Sequence, residues 1–148
     1  VKLAEESFKE TPIRSFSSSS EGIKSMLAYI MGDKEEGDSM TEKALALLET
    51  GHNEPMHAAT LATKGMLQHK SNPAQAYLAN HEAYRIAKRI GANYSLIRSL
   101  IGLVVTSPTK QEAATYLAEL RELAGSIGDA NLYERIAHCA AAVNAKGE

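Results

Sequence analysis

Apolar residues recur along this chain at helical spacing, and a repeated glycine signal cuts the runs they form. In Arg89 to Val105, RIGANYSLIRSLIGLVV, one apolar run ends in Gly-x-Asn and another starts at once, without the alternation a strand would show. The same punctuation appears in LLETGHNEPMHAATLATKG and in LAGSIGDANLYERIAHCAA. Glycine reaches the left-handed conformation that ends a helix, and Asn or Asp supplies the side-chain oxygen that starts the next.

Boundary signals predict a series of helices. VKLAEESFKE reads as a short helix closed by Thr11-Pro12, followed by a Ser-rich connector. Ser18 and Glu21 have capping-box spacing, so a helix is expected from Ser19 to Met31, ended by Gly32-Asp33. The next covers Glu35 to Thr50, with Gly37 expected to delay its start to Ser39, three residues before Glu42. Gly51 stops it, and Asn53 caps a helix reaching His69. Asn72-Pro73 starts a helix to Ile90, where Gly91 is the stop and Asn93 the expected cap of a helix from Tyr94 to Thr106. Thr109, with Glu112 three residues on, begins a helix to Ile127; Gly128 ends it and Asp129 caps the last, to Asn144.

Gly51, Gly91 and Gly128 lie 40 and 37 residues apart, and each interval holds two helices. A helix pair repeating every ~34 to 47 residues marks an α-solenoid, whose units bury their apolar faces only against neighbours. Alignment within the chain supports this. Leu61, Leu100 and Ile136 fall in register, together with Ala58, Ile97 and Tyr133 and with Gly65, Val104 and Ala140. In the other helix type Ala83, Ile86, Ala87 and Ile90 match Leu120, Leu123, Ala124 and Ile127. The expected fold is therefore all-α, with antiparallel helix pairs stacked into a right-handed superhelix of about seven helices. Residues 1–18 form an N-terminal helix and connector, and residues 19–148 the repeat domain. A plain helical bundle is the competing architecture.

Composition narrows the function classes. Of the 148 residues, 44% are hydrophobic and 23% charged, ordinary for a globular domain, and only 5% are aromatic, which suits close helix packing. A net charge of -2 without a concentrated basic patch argues against direct nucleic-acid binding. No apolar run is long enough for a membrane span, and the first residues lack a signal-peptide centre. A cytoplasmic setting is expected, in keeping with a lone Cys139 that has no partner for a disulfide. The chain starts with Val, so a segment of a longer protein, or a chain with its start removed, is expected.

AKRIGANYSLIRSLIGLV and LAGSIGDANLYERIAHCA carry a helix ending in Ala-x-x-x-Gly and a following helix with spaced leucines. Ile101-Gly102 followed by Val105, and the pair Ala76 and Ala83, belong to the same pattern. In these residues the chain resembles the tetratricopeptide-type repeat superfamily, in particular the divergent repeats of maltose-type transcription activators and related LuxR-type bacterial regulators. The large aromatic residues of the strict consensus are mostly absent. The resemblance implies a TPR-like recognition or regulatory segment of a larger bacterial regulator.

Chemistry-bearing motifs are scarce. No His-x-x-x-His or His-Glu-x-x-His exists; His52 and His57 are five apart, and adjacent His138 and Cys139 point to different sides of a helix. Nucleophile elbows and phosphate-cradling glycine loops are also missing. No enzyme activity, cofactor or metal is expected. Met26, Met31, Met40, Met56 and Met66 read as core filling or as an adaptable surface.

Binding is expected on the concave face lined by the first helix of each pair. The positions beside the apolar stripe there are Thr60, Thr63 and Lys64, then Arg98 and Ser99, then Glu134, Arg135 and His138. Thr60, Lys64, Arg98, Ser99, Arg135 and His138 are the candidate groove residues. Lys64, Arg98 and His138 form a cationic ladder suited to a peptide's carboxylates; the alternative is ordinary solvated side chains. Tyr29, Tyr94 and Tyr133 are candidate amphipathic contacts. The expected function is non-catalytic binding of a protein or peptide. The alternatives are a small-molecule effector sensor and a self-association module forming homo-oligomers.

Overall fold

A computed structural model describes residues 32–51 and 53–146. The helices expected near the amino terminus and at 19–31, with Met26, Tyr29, Met31 and His52, lie outside the described residues. Six helices follow in order: α1 (Lys34–Gly51), α2 (Glu54–Gln68), α3 (Pro73–Ile90), α4 (Asn93–Thr106), α5 (Lys110–Ile127) and α6 (Ala130–Ala145). The described chain is all-α.

Local chemistry sets most boundaries. Asn53, Asn72, Thr109 and Asp129 each accept a hydrogen bond from a first-turn backbone N–H, that of Met56, Gln75, Glu112 and Asn131 in turn. Pro73 opens α3, where its missing N–H costs nothing and its φ is already helical. Gly91 and Gly128 take φ of 73° and 72°, and each donates its N–H back to an alanine carbonyl four residues earlier. Three boundaries differ from expectation. Asp33 accepts from Glu36 N–H and starts α1 at Lys34, so Gly37 is a buried residue inside that helix rather than a delay to Ser39. Gly51 is the last helical residue of α1, while the third left-handed glycine among the described residues is Gly32. Asn93 is the first helical residue of α4 rather than its cap. The turn after Gly91 uses one more residue, Ala92, whose N–H reaches Ala87 O at 3.0 Å.

Side-chain bonds give the directions of packing. Between α1 and α2 the pairs are Glu42–Lys64 and Asp38–Gln68; moving back four residues on one helix moves forward four on the other, so they run antiparallel. Between α3 and α5 the pairs are Tyr77–Glu112 and Tyr84–Glu119, both 35 residues apart, so these run parallel. Each helix packs on its neighbours in the chain, and α2 also packs on α4, and α4 on α6. No backbone contact joins α2 to α6 among the described residues, so the three form a row with α4 in the middle.

Register repeats along with direction. Helices α2, α4 and α6 begin at residues 54, 93 and 130, and α1, α3 and α5 at 34, 73 and 110, intervals of 39 and 37 residues in both sets. Burial follows it. Ala76 and Ala113, Ala83 and Leu120, and Ala87 and Ala124 are matching pairs 37 apart, all buried. Two apolar clusters result, one between α1, α2 and α3, the other between α4, α5 and α6, with Leu96 packed against both. The end of α4 is tied down by Lys146, which donates to the carbonyls of Val105 and Ser107 at 3.0 and 2.8 Å.

Candidate functional site

The row of α2, α4 and α6 leaves a cleft along one face. Its first part, about 140 Å³, is bounded by Gly65 and Met66 of α2, Arg98, Ile101, Gly102 and Val105 of α4, and Arg135 of α6, with Asn80 of α3 reaching in from behind. Its second part, about 230 Å³, lies between α4 and α6 and adds His138 and Cys139. Ile101, Val105 and Arg135 border both, so the two parts are continuous.

Asn80 is the unusual member. It is 1% exposed, and neither Oδ1 nor Nδ2 has a hydrogen-bond partner. Its carboxamide lies between the two glycines: a Cβ placed on Gly65 would stand 2.1 Å from Asn80 Oδ1, and one on Gly102 2.3 Å from it. Only residues without a side chain allow the amide this position. At the matching position α1 has the buried Thr41, whose hydroxyl donates to Gly37 O, and α5 has Leu117, buried in the second apolar cluster together with Val104 and Cys139, which match Gly65 and Gly102. One layer of the row is leucine among apolar neighbours; the layer before it is an amide between glycines.

Two arginines from different helices face the same cleft. Arg98 is half-buried, donates from Nη2 to Thr63 Oγ1 at 3.1 Å and sits 5.7 Å from the centre of the Tyr94 ring. That holds its guanidinium in place. Arg135 is exposed at the junction of the two parts. Beside it, burial pushes the Cys139 thiol above its ordinary pKa, an effect that the positive charge of Arg135 partly opposes. The thiol is therefore protonated and a poor nucleophile at neutral pH.

Of the residues singled out in the sequence, Arg98, Arg135 and His138 meet at the cleft. Lys64 does not: its side chain is 14% exposed and forms an ion pair with Glu42 of α1. Thr60 and Ser99 are buried, and the Ser99 hydroxyl donates to Leu96 O at 2.9 Å, so they belong to the packing. Glu134 is exposed, as are Tyr94 and Tyr133. Asn80 was not singled out, although a polar residue four after Ala76 and three before Ala83 breaks an otherwise small and apolar stripe. That break is the signal.

The opposite side, built by α3 and α5, is polar and self-satisfied. Tyr84 donates to Glu119 at 2.7 Å, and Lys88 donates to both Tyr84 Oη and Glu119 Oε1, at 2.8 and 2.9 Å. Hydrogen bonds to Tyr84 and then Glu119 raise the Lys88 pKa, and that to Glu112 raises the Tyr77 pKa. These groups act as ties between helices. Among the described residues no three of His, Cys, Asp and Glu come together as metal ligands, and no helix is long and apolar enough to cross a membrane. Compared with known protein families, curated proteins and solved structures, the chain gives no match.

Proposed function

We propose that the chain is a non-catalytic recognition domain that takes an acidic peptide segment of a partner protein into the cleft along α2, α4 and α6. The observation that carries this reading is the presence of Arg98 and Arg135, from two different helices, on the border of one apolar cleft. Apolar walls from Met66, Ile101 and Val105 accept a ligand's side chains, and the guanidinium groups bind its carboxylates with charge-assisted, geometrically specific hydrogen bonds. The cleft runs past three helices in two joined parts of about 140 and 230 Å³, an elongated shape that favours an extended segment over one compact effector.

The repeated register is consistent with a tetratricopeptide-type solenoid that continues beyond these helices in a larger regulator, with the cleft on its inner face. The test is selection from a displayed library of random peptides. Enrichment of acidic sequences, with binding lost in Arg98→Ala/Arg135→Ala while the helical signal stays unchanged, supports the reading. Failure to enrich any peptide, or equal binding by the double variant, refutes it.

A further inference from the structure

We infer that the Asn80 carboxamide is a main-chain reader: it pairs with the main chain of one residue of an extended segment lying in the cleft, accepting from that residue's N–H and donating to its C=O. The inference rests on the peptide-binding reading and adds to it where the peptide is held and by what chemistry.

An amide side chain with both polar groups buried and unpaired is complementary to a group that offers one donor and one acceptor side by side. One residue of an extended strand does so, because its own N–H and C=O point to the same side of the chain, and the pairing is indifferent to sequence. A carboxylate leaves Nδ2 served and Oδ1 without a donor; an ammonium does the reverse. The surroundings agree with a close backbone approach. Gly65 and Gly102 put no Cβ over the amide, and the partly exposed Met66 and Val105 form the rim that an incoming strand displaces. The matching position of α5 is Leu117 in an apolar layer, so an apolar side chain can fill this register. Arg98 and Arg135 border the same cleft, and they read the side chains of the strand that Asn80 holds.

The experiment uses the acidic peptide recovered by library selection. Each of its amides is replaced in turn by an ester, which removes one N–H, and the affinity of every analogue is measured for the wild-type chain and for Asn80→Ala. The expected result is one position whose ester weakens wild-type binding roughly tenfold and leaves Asn80→Ala unaffected, with Asn80→Ala itself weaker by roughly tenfold to a hundredfold. Its denaturation midpoint is expected to stay level or rise. Coupling to an amide side chain of the peptide instead, or to no position at all, overturns the inference while leaving peptide binding by the arginines intact. A lowered midpoint with unchanged affinity also overturns it, because the amide would then be a packing group. The Asn80 side-chain proton resonances of the wild-type chain give a check without substitution: a downfield shift on adding the peptide is expected, and none is the contrary result.

Discussion

Gly102→Ala offers the sharpest test of the amide layer. Within a helix, alanine is favoured over glycine by about 1 kcal/mol, because glycine loses more backbone entropy on folding. At residue 102 that gain meets a clash. The new methyl would stand 2.3 Å from Asn80 Oδ1, 2.4 Å from Cγ and 2.5 Å from Nδ2, so the whole carboxamide has to move. Gly65 closes the other side at 2.1 Å, which leaves little room to retreat. Overpacking of this kind costs about 1 to 3 kcal/mol. The net expectation is a chain destabilised by about 1 kcal/mol.

Removing the amide reverses the sign. In the Asn80→Ala background no carboxamide opposes the methyl, and Gly102→Ala should stabilise by up to about 1 kcal/mol through helix propensity alone. The coupling energy is then about 2 kcal/mol, well beyond the roughly 0.3 to 0.5 kcal/mol by which independent sites depart from additivity. Urea unfolding of the four chains, followed by circular dichroism, measures it. If Gly102→Ala shifts stability by the same amount and sign in both backgrounds, the amide is not confined between the glycines and the account of the cleft floor fails.

Three further outcomes are expected. Leu120→Ala, at a position with no exposure, should cost about 2 to 5 kcal/mol in urea unfolding, whereas Ile127→Ala, at 42% exposed, should cost far less; equal losses would contradict the assigned core. Cys139 should react slowly with iodoacetamide at pH 8 in the native chain and quickly in denaturant, and rapid native labelling would show that burial does not hold the thiol protonated. Glu82 and Glu54, whose carboxyl pKa values are lowered first by hydrogen bonds from Arg85 and Arg89, stabilise the fold above the unfolded carboxyl value of about 4.5 and cease to do so as pH falls below it. Arg85→Gln/Arg89→Gln should therefore flatten the acid limb of stability against pH, and superimposable limbs would remove these pairs from the account.

The helices were legible in the sequence because their boundaries are local chemistry. An Asn, Asp or Thr oxygen three positions ahead of a free N–H, or a glycine at positive φ, acts within one turn. The misses were local as well. Gly37 reads as an obstacle because glycine weakens a helix interior, yet it is buried at the position that matches Ala76 and Ala113, where a small residue fits. Asn93 and Ala92 differ by one residue, finer than sequence signals resolve.

Side-chain destination was the harder part. Lys64 and Arg98 both flank an apolar stripe, and periodicity gives their angle about the helix axis. It does not say which neighbour lies at that angle. Lys64 meets α1 and pairs with Glu42; Arg98 meets α2 and turns along the cleft to Thr63. Thr60 and Ser99 are short enough for the packing to close over them.

Asn80 is inconspicuous in the sequence for a physical reason. Pattern reading scores a stripe by its apolar members and tolerates one polar exception, while the physical cost falls wholly on the exception. An unpaired buried group costs about 1 to 3 kcal/mol, and this residue carries two. Domains of this size keep only about 5 to 15 kcal/mol in hand. The neighbouring unit meets the same packing problem with Leu117 at no such cost. An apolar side chain therefore fits this register in α5, and the amide at the matching position of α3 carries a cost that Leu117 does not. Pairing of both groups by a bound segment, as proposed above, would offset that cost.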